Sequence, residues 1–171
     1  MKRGTILMAG AALLALAACS KRDEATPDAN GIITKGGLQV NAMSAVTNCI
    51  SPSDMNRPMS QIGPEQRRQL VGCLNAATAR QVNAQLPRQI DEITRLDSLS
   101  TQDATLTYHY TVLRPAASLP PNSAEQLAAA TRRLTCANPQ ARQTLEFGGS
   151  YAFRWVDSQG AVIHEMRIDA C

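Results

Sequence analysis

The chain has 171 residues, of which 44% are hydrophobic and 18% charged, a composition typical of a folded globular protein. Its formal net charge of +3 includes Lys2 and Arg3, and the charges that follow them nearly balance. Basic residues are dispersed, with Arg67-Arg68 and Arg132-Arg133 as the adjacent pairs within residues 31–171. They lack the interleaved aromatic residues of single-strand binders, so we expect no nucleic-acid partner.

An export signal is predicted for residues 1–18. Lys2 and Arg3 give it a positive start, and Thr5 to Ala15 form an apolar stretch without charge. The stretch is shorter than the roughly 20 apolar residues that span a bilayer, so we expect it to be removed after export.

The end of this signal, Leu16-Ala17-Ala18-Cys19, resembles the lipobox of bacterial lipoproteins. The resemblance implies cleavage before Cys19, lipidation of its thiol and acylation of its amine, which anchors the protein without a membrane span. Ser20 stands where Asp would favour inner-membrane retention in enteric lipoproteins, which implies an outer-membrane anchor facing the periplasm. The alternative is an ordinary secretory signal with a cysteine near the cut.

Four cysteines remain once Cys19 is assigned to lipid: Cys49, Cys73, Cys136 and Cys171. An even number in an oxidising compartment predicts two disulfides, for which three pairings are open. Cys49–Cys73 and Cys136–Cys171 are favoured because they close the shorter loops. A Cys-x-x-Cys motif is absent from the sequence, so zinc and thioredoxin-type redox sites are not indicated.

Residues 19–30 are polar and predict a lipidated cysteine with a flexible tether, and residues 31–171 predict a single disulfide-bonded domain. The apolar residues from Gly31 to Val46 are compatible with a short strand, and the assignment of this segment stays undecided. Residues 51–63 predict a loop held near the domain by Cys49.

A first helix is predicted from Pro64 to about Leu86, because Pro and Glu suit the first turn of a helix and Pro87 stops it. Its core-facing stripe is expected at Val71, Leu74, Thr78, Val82 and Leu86. A strand between Ile93 and Leu99 follows. The firmest strand comes next, because apolar and polar residues alternate strictly from Thr105 to Val112.

Pro115 to Asn122 predicts a connector, and Ser123 with Gln126 forms a capping-box pattern that starts a second helix. Asn138-Pro139 starts a short third helix, which ends at Gly148-Gly149. The chain then returns as a hairpin: Tyr151, Phe153 and Trp155 share one strand face, 157–160 make a turn, and Val162 to Ile168 form the last strand.

This order predicts an α+β fold of two layers, helix–hairpin–helix–hairpin, with a four-stranded antiparallel sheet. Four aromatic residues are expected to supply much of the core: Tyr108, Tyr110, Phe153 and Trp155.

Three short stretches resemble small envelope proteins of Gram-negative bacteria with the same helix–hairpin–helix–hairpin order. They are Arg95-Leu96-Asp97-Ser98, the run from Leu106 to Thr111, and Cys136-Ala137-Asn138-Pro139. The resemblance covers about two thirds of the chain after residue 18 and implies no activity.

His109 and His164 are the candidate neutral-pH bases or metal ligands. One alternative places the two histidines side by side on adjacent strands, where they would form a functional site. The favoured interpretation makes His109 solvated, on the face opposite the tyrosines, and His164 partly buried. Asp91-Glu92 is interpreted as surface charge rather than a glycosidase pair. No catalytic, metal or cofactor site is predicted, and a nucleophile elbow is absent from the sequence.

The leading functional hypothesis is a non-catalytic protein-binding module in the periplasm, in one version an immunity protein that inhibits a secreted toxin. The alternative is a structural accessory subunit of an envelope secretion or pilus machine. A third, weaker hypothesis is an enzyme with an unrecognised site.

Overall fold

The computed structural model describes Val40, residues 48–51, Pro58 and residues 61–171. The predicted export signal, Cys19 and the tether lie outside the described residues. So do residues 31–46 apart from Val40, whose assignment was undecided, and most of the predicted loop at 51–63. Residues 61–171 form three helices and five strands, in the chain order α1 (Pro64–Asn83), β1 (Arg88–Gln89), β2 (Thr94–Gln102), β3 (Thr105–Val112), α2 (Ser123–Ala137), α3 (Pro139–Glu146), β4 (Ser150–Val156) and β5 (Val162–Ile168).

The five strands form one mixed sheet in the order β1-β2-β3-β4-β5. Neighbouring strands are antiparallel except β3 and β4, which run parallel. The α+β class is confirmed, but the predicted four-stranded antiparallel sheet is wrong. The helices α2 and α3 carry the chain back along the sheet, so β4 starts beside the start of β3, and such a crossover produces a parallel pair. The added strand β1 has two residues, too few to show alternation in the sequence.

The core lies between one face of the sheet and the helices. Ala79 and Val82 of α1 pack with Leu96, Leu99 and Leu106 of the first hairpin. A second cluster joins Leu127 of α2 and Leu145 of α3 to the second hairpin, where Phe153, Trp155 and Ile168 are buried. Because Tyr108, Tyr110 and Tyr151 pack against both clusters, the core is continuous.

The aromatic core was correctly predicted, and the parallel register explains its geometry. Tyr108 lies opposite Phe153 with ring centroids 5.2 Å apart, and Tyr110 lies opposite Trp155 at 5.8 Å. Burial raises the pKa of Tyr110 to about 12 and raises that of Tyr108 further. These phenols therefore stay neutral at physiological pH.

The predicted stripe of α1 is partly wrong. Val71 and Val82 are buried as expected, but Asn75 and Ala79 are buried between them, whereas Leu74 is half-buried. Small and amide side chains on this side allow α1 to approach the sheet closely, and Asn75 Nδ2 donates to the Ala104 carbonyl over 3.0 Å.

The two later helices begin differently from each other. The cap position of α2 is Asn122, with φ of +67°, and Ser123 is the first helical residue. The Ser123 hydroxyl donates backwards to the Pro120 carbonyl over 2.6 Å, so the predicted capping box is wrong. At α3 the predicted cap is confirmed, because Asn138 Oδ1 accepts from the backbone N–H groups of Gln140 and Ala141.

Two disulfides join Cys49 to Cys73 and Cys136 to Cys171, with Cα atoms 5.7 and 5.6 Å apart. These are the pairs that close the shorter loops. The first attaches the segment before α1 to that helix, and the second attaches the end of the chain to α2.

Asp157 fixes the turn between β4 and β5. Its carboxylate accepts from the backbone N–H groups of Gln159 and Ala161 inside the turn and from that of Ala116 in the connector after β3. These hydrogen bonds, that from Ala116 first, lower the pKa of Asp157. The carboxylate therefore ties the turn of the second hairpin to the connector that follows β3.

The outer edge of β2 is blocked by a side chain of α1. Asn83 Nδ2 donates to the Leu99 carbonyl over 2.8 Å, and the Leu99 N–H donates to Asn83 Oδ1 over 2.7 Å. The amide thus makes the two hydrogen bonds that a neighbouring strand would make at this residue.

Replacing Asn83 by Ala should lower the free energy of unfolding by about 1–2 kcal/mol, because the backbone of Leu99 loses both partners. Arg133→Ala, on the exposed side of α2, is the control and should stay within about 0.5 kcal/mol of wild type. Urea denaturation measures both. Equal losses in the two variants would contradict the role given to Asn83.

Candidate interaction surface

The face of the sheet opposite the helices carries mostly polar side chains, and we call it the open face. Two rows of the strand register define it: Ser98, His109, Arg154 and Glu165 form one row, and Ser100, Thr107, Ala152 and Arg167 form the other. The described helices contribute to the clusters on the other face. An exposed face is common in antiparallel sheets, whereas parallel pairs usually have both faces covered.

The open face contains a shallow depression of about 480 Å³. Short side chains, including Thr107 and Ala152, form its floor. Longer charged side chains, including Arg154, Glu165 and Arg167, stand around them. The depression lies over the second row, where Ser100, Thr107 and Ala152 are short, and is bordered by the longer side chains of the first row and of β5.

Charges on and beside the open face are matched in pairs. Arg154 binds Glu165 across β4 and β5, and Arg167 binds Asp169 along the chain. At the first hairpin, Asp97 accepts from both Arg95 and the Thr111 hydroxyl. Exposed ion pairs of this kind contribute about 0–1 kcal/mol each, so their main effect is to leave the surface locally neutral.

His109 lies in the middle of the open face and is half-buried. Its Nε2 lies 2.7 Å from the Ser100 hydroxyl. Burial first, and the nearby positive charge of Arg154 second, lower the pKa of His109, although Asp97 and Glu165 oppose the shift. The neutral imidazole is therefore the form that the folded protein favours at neutral pH.

The structure separates the two predicted histidines. His164 lies opposite Trp155 on the helix-covered face, with ring centroids 6.1 Å apart, whereas His109 is on the open face. The two histidines are unrelated, as the favoured interpretation expected, but His109 is half-buried like His164, whereas it was expected to be solvated. Among the described residues, no group of three or more His, Cys, Asp or Glu side chains could hold a metal ion.

The predicted Asp91-Glu92 pair lies on a turn before β2. Asp91 Oδ1 accepts from the backbone N–H groups of Ile93 and Thr94, so its carboxylate has a local structural role. Sequence reasoning missed Arg154, Glu165 and Arg167. Alternation within β4 and β5 could have placed each on a face, but it could not have indicated that β4 lies beside β3.

No protein-family model matches this chain, and neither does any curated protein. Within the described residues, no helix is both long and apolar enough to cross a membrane.

Solved structures share the fold. A Pseudomonas aeruginosa protein described as secreted superposes with a TM-score of 0.53 at 19% identity, over 61% of this chain and 93% of that one. The pilotin EpsS of the Vibrio vulnificus type 2 secretion system gives 0.55 at 16% identity, over 62% and 94%. The type II secretion system pilotin AspS of Vibrio cholerae gives 0.50 at 17% identity, over 61% and 93%. At these identities the likeness shows a common fold.

Because the pKa of His109 is lowered by folding, its contribution to stability is complete above the ordinary value of 6.5 and is lost as the pH falls through that value towards the folded pKa. When the pH is lowered from about 7.5 to about 5.5, the free energy of unfolding of His109→Gln should therefore fall less than that of wild type. Urea denaturation at the two pH values measures both. Gln126→Ala, which changes a non-titrating residue exposed on α2, is the control and should keep the wild-type pH dependence. An unchanged pH dependence in His109→Gln would contradict this account.

Proposed function

We propose that this chain is a lipid-anchored, non-catalytic accessory subunit of an envelope secretion machine. The observation that carries the proposal is the fold shared with two secretion-system pilotins over more than nine tenths of their chains. This likeness favours the accessory-subunit hypothesis over the toxin-immunity hypothesis, for which no structural neighbour gives support.

The sequence supplies the location for this function. The lipobox resemblance at Cys19 supports a lipid anchor, and Ser20 supports delivery to the outer membrane with the domain facing the periplasm. Two disulfides suit that oxidising compartment.

We assign the open face to contact with a membrane-associated subunit of the same machine. Its central strands are parallel, and Thr107, His109 and Arg154 are partly or fully accessible there. Non-obligate interfaces are about as polar as the rest of a protein surface, so a polar face with a depression suits a partner that binds reversibly.

Deletion of the gene in the native bacterium should leave proteins that are normally released into the medium trapped in the periplasm, because the machine lacks a subunit. Wild type should restore release, whereas Cys19→Ala should fail to do so and should lose labelling by radioactive palmitate. Immunoblots of medium and periplasm measure release. Normal release in the deletion strain would overturn the proposed function, whereas palmitate on Cys19→Ala would overturn the anchor.

A photoreactive amino acid at Ser100, an exposed residue of the open face, should capture a membrane component of the machine. The same probe at Gln126, exposed on α2, is the control and should capture much less. Mass spectrometry of the irradiated membranes identifies the product. Capture at Gln126 with none at Ser100 would move the partner site to the helical face, and capture of a single soluble toxin would favour the immunity hypothesis.

A further inference from the structure

The two edges of the sheet are built differently. At the β2 edge, β1 pairs with Arg95 and Leu96. The register of β2 against β3 shifts between Leu96 and Ser98. The Asn83 amide makes hydrogen bonds with both the N–H and the carbonyl of Leu99. A short covering strand, an irregular register and a side-chain block are the means by which proteins prevent further pairing at an edge. The β2 edge is therefore closed.

The opposite edge has none of these features along most of its length. β5 runs for seven residues as Val-Ile-His-Glu-Met-Arg-Ile, without proline or lysine. It is the last strand of the sheet, and within residues 61–171 no strand pairs with its outer side. Its one register shift lies at its start, between Trp155 and Val156 of β4. Such an edge presents free backbone donors and acceptors to another strand.

We propose that β5 pairs antiparallel with β5 of a second copy of this chain, about a two-fold axis through Met166. In that register Glu165 lies opposite Arg167 of the second copy, and Arg167 lies opposite its Glu165. Both residues point to the open face, so opposite charges meet directly twice in each dimer. The two sheets then form one sheet of ten strands.

Charge selects this register over its neighbours. A shift of the two-fold axis by one residue towards the start of β5 places Glu165 opposite Glu165 of the second copy. A shift of the axis by one residue towards the end of β5 places Arg167 opposite Arg167 of the second copy. Like charges directly opposite destabilise a strand pair, so pairing about Met166 is the favoured symmetric arrangement.

The ion pairs within each copy are compatible with the dimer. Arg154 already contacts Glu165 on its inner side, so Arg167 of the second copy would extend an alternating row of charges. The Arg167–Asp169 pair is more than half exposed, and its solvent screening makes it easy to rearrange.

The proposed contact is small, so the dimer should be weak in dilute solution and favoured where an anchor concentrates the protein on a membrane. The proposal does not depend on a role in secretion. Its test therefore uses the full chain in the native envelope and measures association of two copies, not secretion.

Two differently tagged copies are produced together, solubilised and co-precipitated. Wild-type copies should co-precipitate. Two Glu165→Arg copies, or two Arg167→Glu copies, should do so about tenfold less, because both cross-strand contacts become repulsive. One Glu165→Arg copy with one Arg167→Glu copy should restore wild-type recovery, because this combination again pairs opposite charges. Each variant in the mixed pair also serves as the folding control for the other.

A cysteine on the axis gives a second readout. Met166→Cys should produce a disulfide-linked dimer in the periplasm, with the bond mapped to residue 166 of both copies, whereas Ser158→Cys in the exposed β4–β5 turn should stay monomeric. The proposal is overturned if two identical variant copies co-precipitate as well as the combination of one Glu165→Arg copy with one Arg167→Glu copy. It is also overturned if the residue 166 cysteine forms a disulfide with a different protein, which would instead identify β5 as the docking edge for a strand of that protein.

Discussion

The parallel pairing of β3 with β4 is the constraint on which the rest of the structure depends. It brings Tyr108 against Phe153 and Tyr110 against Trp155, so that rings from the two hairpins form one stack beneath the helices. Each hairpin alone would present an aromatic face to water. Joined in this register, they bury those faces against each other and against the helices, and the opposite face becomes polar in the same step because strand side chains alternate.

Local sequence patterns were sufficient to predict the elements but not their assembly. The alternation from Thr105 to Val112 and the Asn138-Pro139 cap predicted a strand and a helix whose start and nature the structure confirms. The order of strands depends on which hairpin edges meet, and that choice is made by the crossover through α2 and α3. No periodicity within β3 or β4 contains that information, which is why an antiparallel sheet was expected and a mixed sheet was found.

The candidate surface shows the same limit. Alternation placed His109 on the face away from the tyrosines, as the structure has it, but the residues around it come from three other strands. Ser100 reaches His109 across the first hairpin, whereas Arg154 reaches it across the parallel junction. A surface assembled across strands becomes visible when the strand order is known. The Asn83 amide is a similar case, because it binds the backbone of Leu99. Nearly every residue has the same backbone groups, so the sequence could not indicate this partner.

The matched charges of this surface also limit how it can recognise a partner. Arg154 and Arg167 each have a carboxylate beside them, so the face has little net field with which to attract a partner over long distances, and salt screens what remains beyond about 8–10 Å. Recognition must then act at contact, through backbone hydrogen bonds at a strand edge or through the fit of side chains into the depression. The proposed lipid anchor would reduce the need for such steering, because confinement on a membrane supplies the encounters that a charged surface would otherwise promote.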